Sequence, residues 1–293
     1  MATLTRALSA DGSVMAMAMD STDIAARIEA IHHTSAVMTA AVGRLATAAS
    51  MMGLLLKGAG DSLTLRLDGG GPAGTIIAVS DSCGNVKAYA QNPVVELPLN
   101  SKGKLDVAGA VGRSGYLSVI KDLGLKEPYS GQTPIVSGEI AEDITNYYAV
   151  SEQTPTVCAL GVLVNPDLTV RAAGGFLVQL LPFAGQEVID VLERNISGIQ
   201  PVSAMIDQEM TPEEICRLVL AGLDPQITGS CSPTYRCDCS QERVERAVVS
   251  LGRDQLRQLI EEDHGTEVCC HFCGKKYPFS EEELREILQR ATH

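Results

Sequence analysis

The chain has 293 residues, 45% of them apolar, 4% aromatic and none tryptophan, with a formal net charge of −13. That length allows a sizeable core and more than one domain. The acidity weighs against a nucleic-acid partner, whose phosphates must be neutralised by lysine and arginine, and the few aromatics leave little to stack on bases. A strongly acidic surface suits a soluble protein that resists self-association.

Residues 1–182 read as an α+β domain. Leu4–Leu8 and Val14–Ala18 flank Asp11-Gly12, a hairpin signal. A helix rich in alanine and methionine is expected over His33–Leu56, ended by Lys57-Gly58. Leu63–Leu67, Val86–Ala90 and Tyr116–Ile120 alternate as strands do, with turns at Asp81–Asn85, Asn92-Pro93 and Asn165–Asp167. Tyr147–Val150, Val157–Val164 and Ala173–Leu181 are read as further strands. The expected picture is one large, mostly antiparallel sheet with helices packed against it.

Residues 183–234 form a helical connector. Val188, Ile189, Leu192 and Ile196 fall at helical spacing before Gly198 and Pro201. A second helix begins at Thr211, which can cap, with Pro212 at its first position and Glu214 completing a capping box. Both helices span about three turns, a length marginal in isolation. Their stability must be borrowed from a docking surface, which makes the connector metastable.

Residues 235–293 carry two cysteine pairs, Cys237-Asp-Cys239 and Cys270-His-Phe-Cys273. Between them lie two short helical patterns, Val244/Ala247/Val248 and Leu256/Leu259/Ile260. After them Ser280 and Glu283 make a capping box for a helix carrying Leu284, Ile287 and Leu288. Four thiolates in two close pairs suit a tetrahedral zinc site. Cys270–Lys275 has the form of a zinc knuckle, in which Gly274 supplies a left-handed turn. Cys237-Asp-Cys239 is tighter by one residue.

A domain of about 60 residues is too small to be comfortably stable alone. Zinc binding contributes roughly 10 to 16 kcal/mol to such units and can outweigh everything else holding them. The same thiols can also leave the metal by oxidation, through sulfenic acid and condensation with a neighbouring thiol. A Cys-x-x-Cys disulfide at Cys270 and Cys273 closes easily; one at Cys237 and Cys239 closes a tighter ring. Spacing alone does not separate a structural staple from a switch.

Nine cysteines in a chain whose N-terminus lacks a charged region followed by an apolar run fit a reducing cytoplasm rather than export. The longest apolar stretch, around Ala40–Leu56, is interrupted by Arg44, so no membrane span is expected.

Several other features carry weaker signals. Gly69-Gly70-Gly71-Pro72 is not followed by the Gly-Lys-Ser/Thr of a phosphate loop and reads as a turn between strands. Gly58-Ala-Gly60 lacks the third glycine of a dinucleotide fingerprint. His32 and His33 have no ligand partners at helical spacing and read as structural, and His271 as a surface residue within the knuckle. Cys83, Cys158 and Cys216 are expected to be buried small hydrophobes. Methionines 15, 17, 19, 38, 51 and 52 suit an adaptable client surface but read better as core. No Gly-x-Ser-x-Gly element supports nucleophilic hydrolysis.

The run Cys237-Asp-Cys239-Ser-Gln-Glu-Arg-Val-Glu-Arg-Ala, with Ser250-Leu-Gly-Arg253, Ile260-Glu-Glu-Asp263 and Cys270-His-Phe-Cys273-Gly-Lys-Lys-Tyr277, closely resembles the redox-regulated heat-shock protein 33 family of bacterial holdase chaperones. The resemblance extends through Gly69–Pro72, Gly103–Val107, Lys121–Leu125, Ser151–Gln153, Gly161–Pro166 and Ala173–Gly175, and so covers essentially the whole chain. It implies an ATP-independent holdase rather than an enzyme, with zinc on Cys237, Cys239, Cys270 and Cys273 in the reduced, inactive state. Oxidation would form the disulfides Cys237–Cys239 and Cys270–Cys273, release zinc and unfold the connector. Unfolding client proteins would then bind an active, typically dimeric form. Cys231 and Cys269 lie outside the family's motif. The alternative is a thiol–disulfide oxidoreductase using Cys270 and Cys273, which needs a thiol of depressed pKa.

Overall fold

Asp11 builds the first turn. Its carboxylate accepts from Ser9 Oγ at 2.6 Å and from the Ser13 N–H at 3.0 Å, and Gly12 takes the positive φ of +72° that the reversal requires. The strands it joins are β1 (Thr3–Leu8) and β2 (Val14–Asp20). The computed structural model describes residues 1–182 and 184–290, which form two compact units divided between Arg236 and Cys237. Phe183, the first residue of the expected connector, lies outside the described residues.

Helix α1 (Thr22–His32) ends where His33 turns left-handed at φ 50°, and α2 (Ala36–Gly53) follows. The single helix expected from His33 is thus preceded by a separate one. Nearly every side chain of α2 is buried. A helix that is apolar all round must be covered on all sides, and two sheets cover this one.

The first sheet has the order β10-β1-β2-β9-β8, with β8 at Thr156–Val164, β9 at Val170–Leu180 and β10 at Gln226–Cys231. The second has the order β5-β4-β3-β6-β7. Its strands are β3 (Ser62–Asp68), β4 (Ile76–Asp81), β5 (Val86–Ala90), β6 (Tyr116–Asp122) and β7 (Tyr129–Pro134). All pairings between these strands are antiparallel. The α+β class holds, while the strands divide over two sheets rather than one. Alternation reveals strands but not how many sheets share them, and α2 between the sheets is what separates them.

Small residues let α2 approach both sheets. A Cβ on Gly43 would lie 3.1 Å from Val162 Cγ2, and one on Gly53 only 2.6 Å from the Asp81 carbonyl oxygen. The six methionines singled out above are all buried in this core. Gly69 and Gly71 are also close-approach glycines. A Cβ on either would meet a backbone carbonyl at 2.4 Å, that of Val111 or Ala110. They lie between β3 and β4, against α3 (Val107–Val111), which fits a turn and leaves no phosphate cradle.

Two further expectations for this unit fail. Tyr147–Val150 is not a strand but the end of α4 (Ala141–Val150). Its β-prone Tyr-Tyr pair is overridden upstream, where the buried Asp143 carboxylate accepts from the N–H groups of Val136, Ser137, Gly138 and Ile140 and organises the helix start. Cys83 is exposed, because it occupies the β4–β5 turn, whereas Cys158 and Cys216 are buried. His32 is structural, its Nε2 bonded to the Ala88 carbonyl at 3.0 Å.

After β9 come α5 (Gln186–Ser197), α6 (Val202–Asp207) and α7 (Pro212–Val219), then β10, a strand that joins the expected helices. The Thr211–Glu214 capping box at the start of α7 is formed as expected. These helices cover the face of the first sheet opposite α2. Along β2, Met15, Met17 and Met19 enter the α2 core, while Val14, Ala16 and Ala18 enter a second core with Phe176, Met205, Ile215 and Val219. Two-sided burial explains why β2 reads as an unbroken apolar run. The helices are not equally docked: of the twelve residues of α5, only Leu192 is fully buried. An apolar cleft of about 430 Å³ lies beneath α5, lined by Val157, Val178, Leu180, Ile189 and Ile196.

The second unit holds α8 (Gln241–Val249), α9 (Arg253–Glu261), the antiparallel pair β11 (Gly265–Cys269) and β12 (Lys276–Ser280), and α10 (Glu281–Arg290). The expected Ser280–Glu283 box starts α10. Its core comprises Val244, Val248, Leu256, Ile260, Tyr277, Phe279, Leu284 and Ile287.

Candidate metal centre

Cys270–Lys275 is the turn joining β11 to β12. The Cys270 N–H donates to the Lys275 carbonyl at 2.9 Å and the Gly274 N–H to the Cys270 carbonyl at 2.8 Å. Gly274 takes the left-handed φ of +70° expected of it. This hairpin presents Cys270 and Cys273 on one side. Cys237 and Cys239 come from the extended segment just before α8, whose start is capped by Ser240 accepting from the Arg243 N–H at 3.3 Å.

The four sulfurs meet. Cys237 Sγ lies 3.7 Å from Cys270 Sγ, Cys239 Sγ lies 3.4 Å from Cys273 Sγ, and all four fall within 4.8 Å of one another. Zinc–sulfur bonds of about 2.3 Å place tetrahedrally arranged sulfurs roughly 3.8 Å apart. The donor set therefore fits zinc in kind, number and spacing. Backbone N–H groups aim at the sulfurs as well, that of Lys275 at Cys273 and that of Cys239 at Cys237, and they favour the thiolate a metal requires.

The sulfurs differ in environment. Burial pushes the Cys237 and Cys273 thiols up. Burial also works against the Cys239 thiolate, but hydrogen bonds from Tyr277 and from the neighbouring thiols outweigh it and bring Cys239 down to about 7. The Tyr277 hydroxyl donates to Cys239 Sγ at 3.1 Å. Tyr277 is therefore a supporting residue that sequence reasoning missed. The only sign of it is its alternation with Phe279 on β12, which points both rings into the small core.

His271 is exposed and outside the sulfur cluster, a surface residue as expected. Cys269 is exposed beside the cluster, with Sγ 3.5 Å from the Gly274 carbonyl. Cys231 lies at the end of β10. Cys270 and Cys273 sit in a strand-to-strand turn, not at the helix N-terminus that commonly lowers a catalytic thiol. Among the described residues, no helix is long and apolar enough to cross a membrane.

The family model described as Hsp33 protein matches residues 2–280. The chain belongs to the Hsp33 family. Among its relatives, the 33 kDa chaperonin of Clostridioides difficile (strain 630) is 51% identical over 284 residues, covering 97% of each chain. That of Acetivibrio thermocellus is 49% identical over 286 residues, covering 98% of this chain and 96% of its own. The crystal structure of the 33 kDa chaperonin (heat shock protein 33 homolog) from Thermotoga maritima superposes with a TM-score of 0.91 at 36% identity, covering 99% of this chain and 98% of that one. Hsp33 membership and the α+β fold thus agree with the motif-level resemblance.

Proposed function

We propose that this Hsp33-family chain is a redox-regulated, ATP-independent holdase chaperone of the cytoplasm, inactive while reduced and zinc-bound. The observation that carries the reading is the convergence of four thiols in a unit with so small an apolar core. Bound zinc would supply most of that unit's folding free energy, about 10 to 16 kcal/mol. It would be held by Cys237, Cys239, Cys270 and Cys273.

Activation follows from removing those ligands. Each cysteine pair gives two electrons to one peroxide, forming a disulfide and two waters, and the disulfides assigned are Cys270–Cys273 and Cys237–Cys239. Without its thiolate ligands the unit unfolds. The connector, residues 183–234, then loses its hold on the first sheet, starting with α5, which is the least buried of its helices. Its departure uncovers Ala16, Phe176 and Val178 on the sheet and Leu192, Met205 and Ile215 on the helices. Unfolding clients bind there by non-directional burial that tolerates many sequences, and the active form is a homodimer. The four cysteines act as sensors, so no residue is catalytic.

The test is to treat the reduced, metallated protein with hydrogen peroxide at raised temperature. Zinc release, free thiols and suppression of client aggregation are followed together. All three should change in step. Loss of zinc and of four thiols with no gain in holding an unfolding client would overturn the reading.

A further inference from the structure

Two cysteines outside the metal centre lie at the start of segments that the backbone zips together. Cys83 occupies the tight β4–β5 turn, its N–H donating to Asp81 Oδ1 at 2.9 Å, and its side chain is exposed. Cys231 ends β10, opposite Leu4 on β1, and is half-buried. The segment that follows Cys231 runs along the turn and the start of β5. A Cβ on Gly84 would lie 3.3 Å from Pro233 Cγ. The Thr234 N–H and hydroxyl both reach Asn85 Oδ1, at 3.1 and 3.0 Å. The Val86 N–H then donates to the Thr234 carbonyl at 3.0 Å and the Arg236 N–H to the Val86 carbonyl at 2.9 Å, a parallel bridge between Val86 and Tyr235. Cys83 and Cys231 therefore enter this zipped segment from the same end. Cys231 is pushed up first by burial, with Arg6 opposing, and further by Cys83.

We propose that Cys83 and Cys231 form a second peroxide-driven disulfide, separate from the metal centre, that pins the end of β10 to the β4–β5 turn. The exposed Cys83 thiolate attacks hydrogen peroxide, breaking the O–O bond and becoming a sulfenic acid as one water is released. The Cys231 sulfur, as thiolate, then displaces hydroxide from the Cys83 sulfur, and that hydroxide leaves as the second water. Two thiols lose two electrons and one peroxide gains them. The roles follow from access, since the oxidant reaches Cys83 freely and the half-buried Cys231, on the segment zipped to the Cys83 turn, is the resolving thiol. The bond would hold β10 on β1 even where the helices before it had left the sheet.

The test uses the full chain. The reduced protein is treated with hydrogen peroxide, blocked with an alkylating reagent, and digested with trypsin without reduction. Each cysteine lies alone in its tryptic peptide, Cys83 in Leu67–Lys87 and Cys231 in Leu218–Arg236, so a linked pair is unambiguous by mass spectrometry. The expected result is a Leu67–Lys87/Leu218–Arg236 species that carries most of the Cys83, disappears on reduction, and is absent from Cys83→Ser and Cys231→Ser. In Cys231→Ser, Cys83 should proceed to sulfinic acid. Recovery of Cys83 singly alkylated, or linked mainly to a cysteine other than Cys231, overturns the proposal. The linked peptide is scored independently of the metal centre, so failure of the holdase reading would leave it standing.

Discussion

The two units hold themselves together by different means. In Met1–Arg236, the first sheet is buried on both faces, by α2 on one side and by α5, α6 and α7 on the other. After Arg236, among the described residues, eight buried apolar side chains form the core, and four sulfurs converge beside them. Apolar burial persists as long as the chain is in water. A thiolate–metal centre persists only while its ligands are reduced and deprotonated. Under the holdase reading, the α2 core of the first unit rests on burial alone and the second unit on a chemical condition, the asymmetry a redox sensor would need.

The contrast can be broken at its strongest point by a zinc chelator. Under the zinc reading, stripping the metal should remove about 10 to 16 kcal/mol from the second unit and leave the α2 core of the first folded. In hydrogen exchange, amides of α8 and α10 should lose protection while those of α2 keep it. Simultaneous loss in both would mean that the units are not energetically separate. Leu45→Ala makes the reverse test. Leu45 is fully buried in the α2 core, so the cavity should cost about 2–5 kcal/mol of first-unit stability in urea, with zinc affinity unchanged.

Two smaller changes sharpen the comparison. Tyr277→Phe removes the hydroxyl bonded to Cys239 Sγ. Groups that support metal ligands are typically worth 10- to 100-fold in affinity, so zinc should bind more weakly by about that factor in a chelator competition. An unchanged affinity would make the tyrosine a packing residue only. Thr211→Ala deletes the α7 cap and should cost about 1 kcal/mol. Under the holdase reading it should also lower the peroxide dose for half-maximal aggregation suppression, because the connector starts closer to release.

The cysteine cluster is legible in the sequence because two close pairs at ligand spacing leave few alternatives. Two close cysteine pairs flanking short amphipathic helices point to one shared centre, while its use as staple or switch is not encoded in their spacing. The caps at Thr211 and Ser280 and the left-handed turn at Gly274 are legible for a related reason, since each is a local backbone requirement met by a particular residue. Tyr147–Val150 misleads because strand propensity is local, whereas the helix there is set by Asp143 gathering four backbone N–H groups from the preceding loop. Cys83 misleads because cysteine is usually buried, whereas the Asp81–Asn85 turn that the sequence also shows leaves it exposed.

By itself, then, the sequence determined the class of elements, the two cysteine pairs that converge and the smallness of the last unit, all of which depend on residue type and spacing over a few turns. The tertiary structure alone decided that the strands form two sheets around α2, that the connector covers the far face of one of them, that Tyr277 reaches Cys239, and that Cys83 and Cys231 share one zipped segment. These are contacts between residues far apart in the chain. No local pattern encodes such pairings, because the free energy that selects them belongs to the assembled core.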